Sequence, residues 1–206
     1  MIYKKILLCF VFLLIFVLIL SSCNFKKSEK NKKSNPIPDI PEDKIVTTVN
    51  DYDFIKLKEN ILALKKGYNK LKVLTFGTSY YDKELYLLKL GDGSKKILIV
   101  GGIHGRENIT SLLILKIIED YLIHYSSKNQ IGKLNINEML NKVSFYFVPM
   151  LNPDGVEIAV KGIDKFKNRN FFIKANEESS NFERWKANAR GVDLNKQFKA
   201  AWEKLD

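Results

Sequence analysis

The chain has 206 residues, 46% of them hydrophobic, and a formal net charge of +11. That is enough apolar material for one domain with its own core. Its two cysteines are Cys9 and Cys23, so everything after Cys23 lacks a thiol, which excludes an internal disulfide and a cysteine-based zinc site there.

The N-terminus has a basic start, Lys4 and Lys5, and an unbroken apolar run from Ile6 to Leu20. Small residues follow in Leu20-Ser21-Ser22-Cys23. This order is a secretory signal pattern over residues 1–22. The tetrad resembles a bacterial lipoprotein signal, which implies cleavage before Cys23 and a diacylglycerol thioether on its sulfur. An uncleaved anchor is the alternative, although a spanning helix needs roughly 17–25 apolar residues. On either reading the rest of the chain is exported. Residues 23–43 then form a basic tether. Lys26, Lys27, Lys30, Lys32 and Lys33 face only Glu29, and Pro36, Pro38 and Pro41 extend the backbone. Such a stretch is a solvated linker or an attraction to anionic lipid heads or wall polymers. Nucleic acid is excluded as a partner, because the stretch has one aromatic, Phe25, and the chain is exported.

The domain starts at Lys44. Phe54, Leu57, Ile61 and Leu64 recur at helical spacing, with Asn50 or Asp51 placed to cap. "KLKVLTFGTS" and "KELYLLKLG" are strands around a turn at Tyr80–Asp82, and Gly91-Asp92-Gly93 marks another turn. "KKILIVGG" is a third strand, apolar enough for burial on both faces. "NITSLLILKIIEDYLIHYSS" is a helix that packs on the sheet, and "NEMLNK" is a short helix. "VSFYFVPML" is a fourth strand ending in the turn signature Asn152-Pro153-Asp154-Gly155. Residues 161–189 are polar and charged and suggest a long surface loop with a little helix. The fold class is α/β, a mixed, mostly parallel sheet flanked by helices.

Chemistry concentrates after the third strand, in "ILIVGGIHGRENIT". Gly101-Gly102 let the chain turn sharply at the carboxyl edge of the sheet, where open α/β sheets hold ligands. His104 and Glu107 follow within one tight turn, and imidazole and carboxylate are ordinary zinc ligands. The same glutamate also stands where a helix cap would. On this motif alone both readings are open.

Two later stretches, "PMLNPDGVE" and "WKANARGVDLNKQF", complete an ordered set. Together with His104-x-x-Glu107 they resemble the zinc carboxypeptidase family, the funnelins, over roughly residues 70–200. The resemblance implies one zinc ion with His104 and Glu107 as its first two protein ligands. It implies that Asp193 accepts the other ring N–H of His104. It places Arg106 in a substrate subsite and Asn195, followed by Lys196, on the substrate's carboxylate. Arg190 and Arg184 are candidates for polarising the scissile carbonyl. Family members carry Asn-Arg where this chain has Asn195-Lys196, and a lysine is a point charge, not a planar fork. The last motif is closer to the bacterial branch that cuts γ-D-glutamyl bonds to diamino acids in cell-wall peptides.

The family's third ligand, a histidine, and its general-base glutamate lie beyond the Gly-Val-Asp motif, and the sequence reaches Asp206 without them. The other histidine, His124, falls near the end of a helix, where a cation favours the dipole. The expectation is therefore that residues 44–206 are the N-terminal part of a C-terminally truncated zinc carboxypeptidase-like domain. The resemblance implies zinc-dependent hydrolysis of peptidoglycan stem peptides, by a protein held by lipid on the outer face of the cytoplasmic membrane, and the 206-residue chain alone is expected to be inactive. The alternatives are a non-catalytic, lipid-anchored wall-peptide binder and an inactive truncated product. Mass spectrometry of the mature protein is expected to show an N-terminus at Cys23 carrying diacylglycerol. An intact Met1 would refute the lipoprotein reading.

Overall fold

The structure, a computed structural model, describes residues 44–199. The signal, lipid-anchor and tether readings for residues 1–43 lie outside them, as do residues 200–206. Helix α1 (Phe54–Gly67) carries Leu57, Ile61 and Leu64 on its buried stripe. Its cap is Asp53, which accepts from the Lys56 N–H, and not Asn50 or Asp51. Asp51 sits in left-handed backbone (φ 55) and Tyr52 is buried ahead of the helix, which delays its start. Strands β1 (Lys72–Thr78) and β2 (Glu84–Leu90) form an antiparallel hairpin. Strand β3 (Lys95–Val100) leads through a 3-10 turn, Gly105–Glu107, into helix α2 (Asn108–Ser127). A small ribbon, β4 (Gln130–Ile131) with β5 (Leu134–Asn135), precedes α3 (Ile136–Lys142) and β6 (Val143–Val148).

The main sheet has the order β1-β2-β6-β3. β2 is antiparallel to both its neighbours, and β3 is parallel to β6. Three strands thus point the same way and β2 alone opposes them. The turn after β1, the segment after β3 and the segment after β6 all emerge at one edge of the sheet, its carboxyl edge. Leu88 and Leu90 stand opposite Phe147 and Phe145 in register. They pack with Leu57, Ile61 and Leu64 of α1 and Leu112, Leu115 and Ile118 of α2. Buried Glu119 of α2 accepts from the Ile45 and Val46 N–H groups and ties the first described residues to the helix.

Three readings need correction. β3 is not buried on both faces. It is an edge strand, hydrogen-bonded to β6 alone among the described strands, and Ile97 and Leu98 are 41% and 64% exposed. Asn152-Pro153-Asp154-Gly155 is not a free turn but the start of helix α4 (Pro153–Lys161). Asn152 caps it, and Pro153 takes a first-turn position, where its missing N–H costs nothing. Residues 161–189 are largely exposed and hold a little helix, as expected, but they are not all surface. Ile163, Phe166, Phe172, Phe182 and Trp185 form a second buried cluster with Ile158 of α4, around the short helix α5 (Arg169–Ala175). These apolar residues are spaced too irregularly among charges to show a period. Among the described residues no helix is long and apolar enough to cross a membrane.

Asp53 also joins α1 to α4, meeting Lys161 Nζ at 2.5 Å. Burial pushes its carboxyl up, but hydrogen bonds from Lys161 and the Lys56 N–H outweigh burial and hold it below the ordinary 3.8. A carboxyl lowered in the folded state stabilises above its unfolded value and loses that contribution as pH falls through the folded one. Asp53→Asn keeps the cap and removes the charge. Urea denaturation at pH 7 should show a loss of roughly 1–2 kcal/mol. The gap to wild type should close as the pH drops below 3.8.

Candidate metal centre

His104 is the last extended residue after β3 (φ −93, ψ 141), and the 3-10 turn brings Glu107 round beneath it. The Glu107 N–H donates to the His104 carbonyl at 3.1 Å. The Thr110 hydroxyl donates to the Glu107 carbonyl (2.7 Å) and accepts from the Gly102 N–H (2.8 Å), which locks the loop onto the first turn of α2. His104 Nδ1 then lies 2.8 Å from Glu107 Oε1. Glu107 occupies the cap position of α2 but makes no capping hydrogen bond. Its carboxylate is directed at the imidazole instead.

The opposite face of the ring meets the last motif. His104 Nε2 is 3.3 Å from Asp193 Oδ1, slightly longer than a tight hydrogen bond. Asp193 caps a 3-10 turn, Leu194–Gln197, by accepting from the Asn195 N–H at 3.0 Å. Asn188 sets its approach, because its Oδ1 accepts from the N–H groups of Arg190 (2.9 Å) and Val192 (3.0 Å).

The motif Asn152-Pro153-Asp154-Gly155 binds these loops together. Asn152 Nδ2 donates to the carbonyls of Ile103 (3.1 Å) and Ala187 (3.1 Å), and its Oδ1 accepts from Gly155 (2.9 Å). Backbone bonds run beside it, from Gly105 to Lys186 (3.1 Å) and from Arg106 to Trp185 (2.9 Å). Glycine is required on both sides of this seam. A Cβ on Gly155 would stand 2.3 Å from Asn152 Nδ2, and one on Gly105 would stand 2.2 Å from the Gly155 carbonyl. Buried Asp154 fastens the β1–β2 turn in the same way. It accepts from Ser79 Oγ (2.9 Å), the Tyr81 N–H (3.1 Å) and Lys83 Nζ (2.8 Å). The roles of Thr110, Asn152, Asp154 and Asn188 could not be read from the sequence, because each acts on backbone groups remote in the chain or hidden in a turn.

The other candidates fall as follows. Asn195 and Lys196 lie on the 3-10 turn that Asp193 caps, with Asn195 partly buried and Lys196 exposed. Arg106 is exposed in the turn between His104 and Glu107, and Arg184 is exposed in the second cluster's loop. Arg190 turns its guanidinium over the Tyr80 ring, 6.0 Å from the centroid. His124 bonds back to the Asp120 carbonyl at 2.7 Å. It lies sixteen residues into α2, about 24 Å along the helix from the His104 end at 1.5 Å per residue.

The donor set suits zinc as far as it goes. A ring nitrogen and a carboxylate oxygen converge, and the second ring nitrogen has an acceptor that fixes its tautomer. Among the described residues no three His, Cys, Asp or Glu side chains gather as a metal group. His104 and Glu107 therefore fit as two ligands, and a catalytic zinc takes three from protein.

The zinc carboxypeptidase family model matches residues 58–205, and the chain belongs to that family. It is 34% identical over 163 residues to gamma-D-glutamyl-L-diamino acid endopeptidase 1 of Lysinibacillus sphaericus, covering 78% of this chain and 41% of that protein. It is 30% identical over 135 residues to human carboxypeptidase A6, covering 64% of this chain and 27% of the other. The fold matches a crystal structure of thrombin activatable fibrinolysis inhibitor with a TM-score of 0.56 at 20% identity, over 77% of this chain and 38% of that one. The chain thus spans about two-fifths of the bacterial relative's length.

Asn152→Asp keeps the acceptor that caps α4 but turns both Nδ2 donors into a carboxylate oxygen facing carbonyls. Thermal or urea denaturation should show a loss of roughly 2–4 kcal/mol. Stability within 0.5 kcal/mol of wild type, an effect of about the size of a neutral surface change, would remove Asn152 from this role.

Proposed function

We propose that this chain serves zinc-dependent hydrolysis of peptide bonds, with γ-D-glutamyl-diamino acid peptides of the cell wall as the substrate class. The observation that carries the reading is His104 held between two carboxylates, Glu107 at 2.8 Å and Asp193 at 3.3 Å, at the carboxyl edge of the sheet. Zinc, when bound, supplies polarisation of the scissile carbonyl and activation of water. His104 Nδ1 and Glu107 would hold the metal. Asp193 fixes the imidazole by accepting from Nε2. Arg106, Asn195 and Lys196, on the two turns that flank this histidine, bind the peptide. The 34% identity to the Lysinibacillus endopeptidase supports the substrate class. The apolar run Ile6 to Leu20, followed by Ser21-Ser22-Cys23, supports an exported protein with a lipid anchor, close to the wall.

A second reading is a wall-peptide binder without turnover. It draws on Lys196 in place of the family's arginine.

Both are tested on the full chain in detergent micelles. Zinc affinity, measured against a chromophoric chelator, should vanish in His104→Ala and fall roughly 10–100-fold in Asp193→Asn. His124→Ala should leave it unchanged. Hydrolysis of a γ-D-glutamyl-diaminopimelate peptide that His104→Ala abolishes supports the peptidase. Zinc-dependent peptide binding without hydrolysis supports the binder. Zinc affinity that survives His104→Ala contradicts both.

A further inference from the structure

At the carboxyl edge lies a cavity of about 530 Å³ lined by Tyr80, Leu151, Asn188, Arg190, Leu194 and Phe198. Its walls are mainly apolar. Leu194 directly follows Asp193, so the cavity begins one residue from the group that holds His104. Among the described residues Arg190 is the only cation in its lining. The guanidinium is exposed and forms no ion pair with a carboxylate among the described residues. The acid that shares the lining, Asp154, is already bound to Lys83 at 2.8 Å.

Arg190 is also braced. Its guanidinium lies over the Tyr80 ring at 6.0 Å, and Tyr80 meets Tyr81 edge-on at 5.4 Å. Tyr81 in turn meets Phe166 edge-on at 4.7 Å, and Phe166 belongs to the buried second cluster. The Tyr81 N–H is fixed by Asp154. A chain of aromatic contacts therefore runs from the core to an unpaired arginine. Stacking on a ring leaves the edge of the guanidinium fork free for a planar anion and limits the rotamers it must give up on binding.

We infer that Arg190, braced on Tyr80, is a specificity-determining residue that reads a carboxylate on the acyl side of the scissile bond. This rests on the peptidase reading above and names what the site recognises. A γ-linked glutamyl residue is joined through its side chain, so its α-carboxylate stays free close to the scissile bond. The same residue with its α-carboxyl amidated has no charge at that place. A bidentate arginine–carboxylate pair at this position separates the free acid from the amide.

The test varies the ligand first. Calorimetry on the full chain in micelles with zinc compares L-alanyl-γ-D-glutamyl-diaminopimelate with the same peptide carrying an α-amide on the glutamyl residue. The free acid should bind about 10–100-fold more tightly than the amide. Arg190→Gln should bind both peptides like the amide. Tyr80→Ala should lose most of the preference and Tyr80→Phe should keep it, with melting curves confirming that each variant is folded. Equal affinity of wild type for acid and amide, or a preference that survives Arg190→Gln, overturns the inference while leaving the peptidase reading intact. No binding and no hydrolysis of either peptide overturns the peptidase reading and the inference with it.

Discussion

A single side-chain amide, that of Asn152, sets the geometry on which the candidate site depends. It is 2% exposed and spends its donors and its acceptor on three separate pieces of backbone. One is the strand end that leads to His104, one is the loop that leads to Asp193, and one is the first turn of α4. A buried amide with every group paired is stabilising, and the same amide with a partner removed leaves a desolvated carbonyl behind. Proline and glycine on its C-terminal side complete the device. Pro153 starts the helix without a wasted N–H, and Gly155 lets two backbones close to within a distance that a Cβ would fill.

The sheet explains why these loops meet at all. Because β1, β3 and β6 run the same way, their C-terminal ends bring the Tyr80 turn, the His104 loop and the Asn152 cap to one edge. Asn152 stitches the second and third together, and Asp154 stitches the first to the third. Two polar positions of one motif thus organise the whole edge. The imidazole meets Asp193 itself, and the next residue, Leu194, lines the Tyr80–Arg190 cavity. On the proposed function, metal binding and substrate recognition would be separate tasks of one constrained loop.

Periodic burial made much of this legible in the sequence. Leu57, Ile61 and Leu64 repeat every turn of α1, and the β1, β2, β3 and β6 runs stand out by length and branching. The three motifs, in order, group His104, Glu107 and Asp193 by resemblance alone. What stayed hidden has physical reasons. The second core draws Phe166, Phe172, Phe182 and Trp185 from a stretch whose charges mask any period. The start of α4 was hidden because Asn-Pro-Asp-Gly suits both a turn and a helix cap. The exposure of β3 depends on what lies beside it, which composition does not encode. Tyr80 gave no signal, since its role depends on Arg190, far along the chain.

The central claim is that the constrained loop delivers one imidazole and one carboxylate to the same metal ion. X-ray absorption at the zinc edge, on the zinc-loaded full chain, tests this most directly. The account predicts nitrogen and oxygen neighbours at about 2.0–2.2 Å. It also predicts outer-shell scattering from a single imidazole, which His104→Ala removes and His124→Ala leaves in place. A first shell without imidazole, or one that His104→Ala does not change, would contradict it.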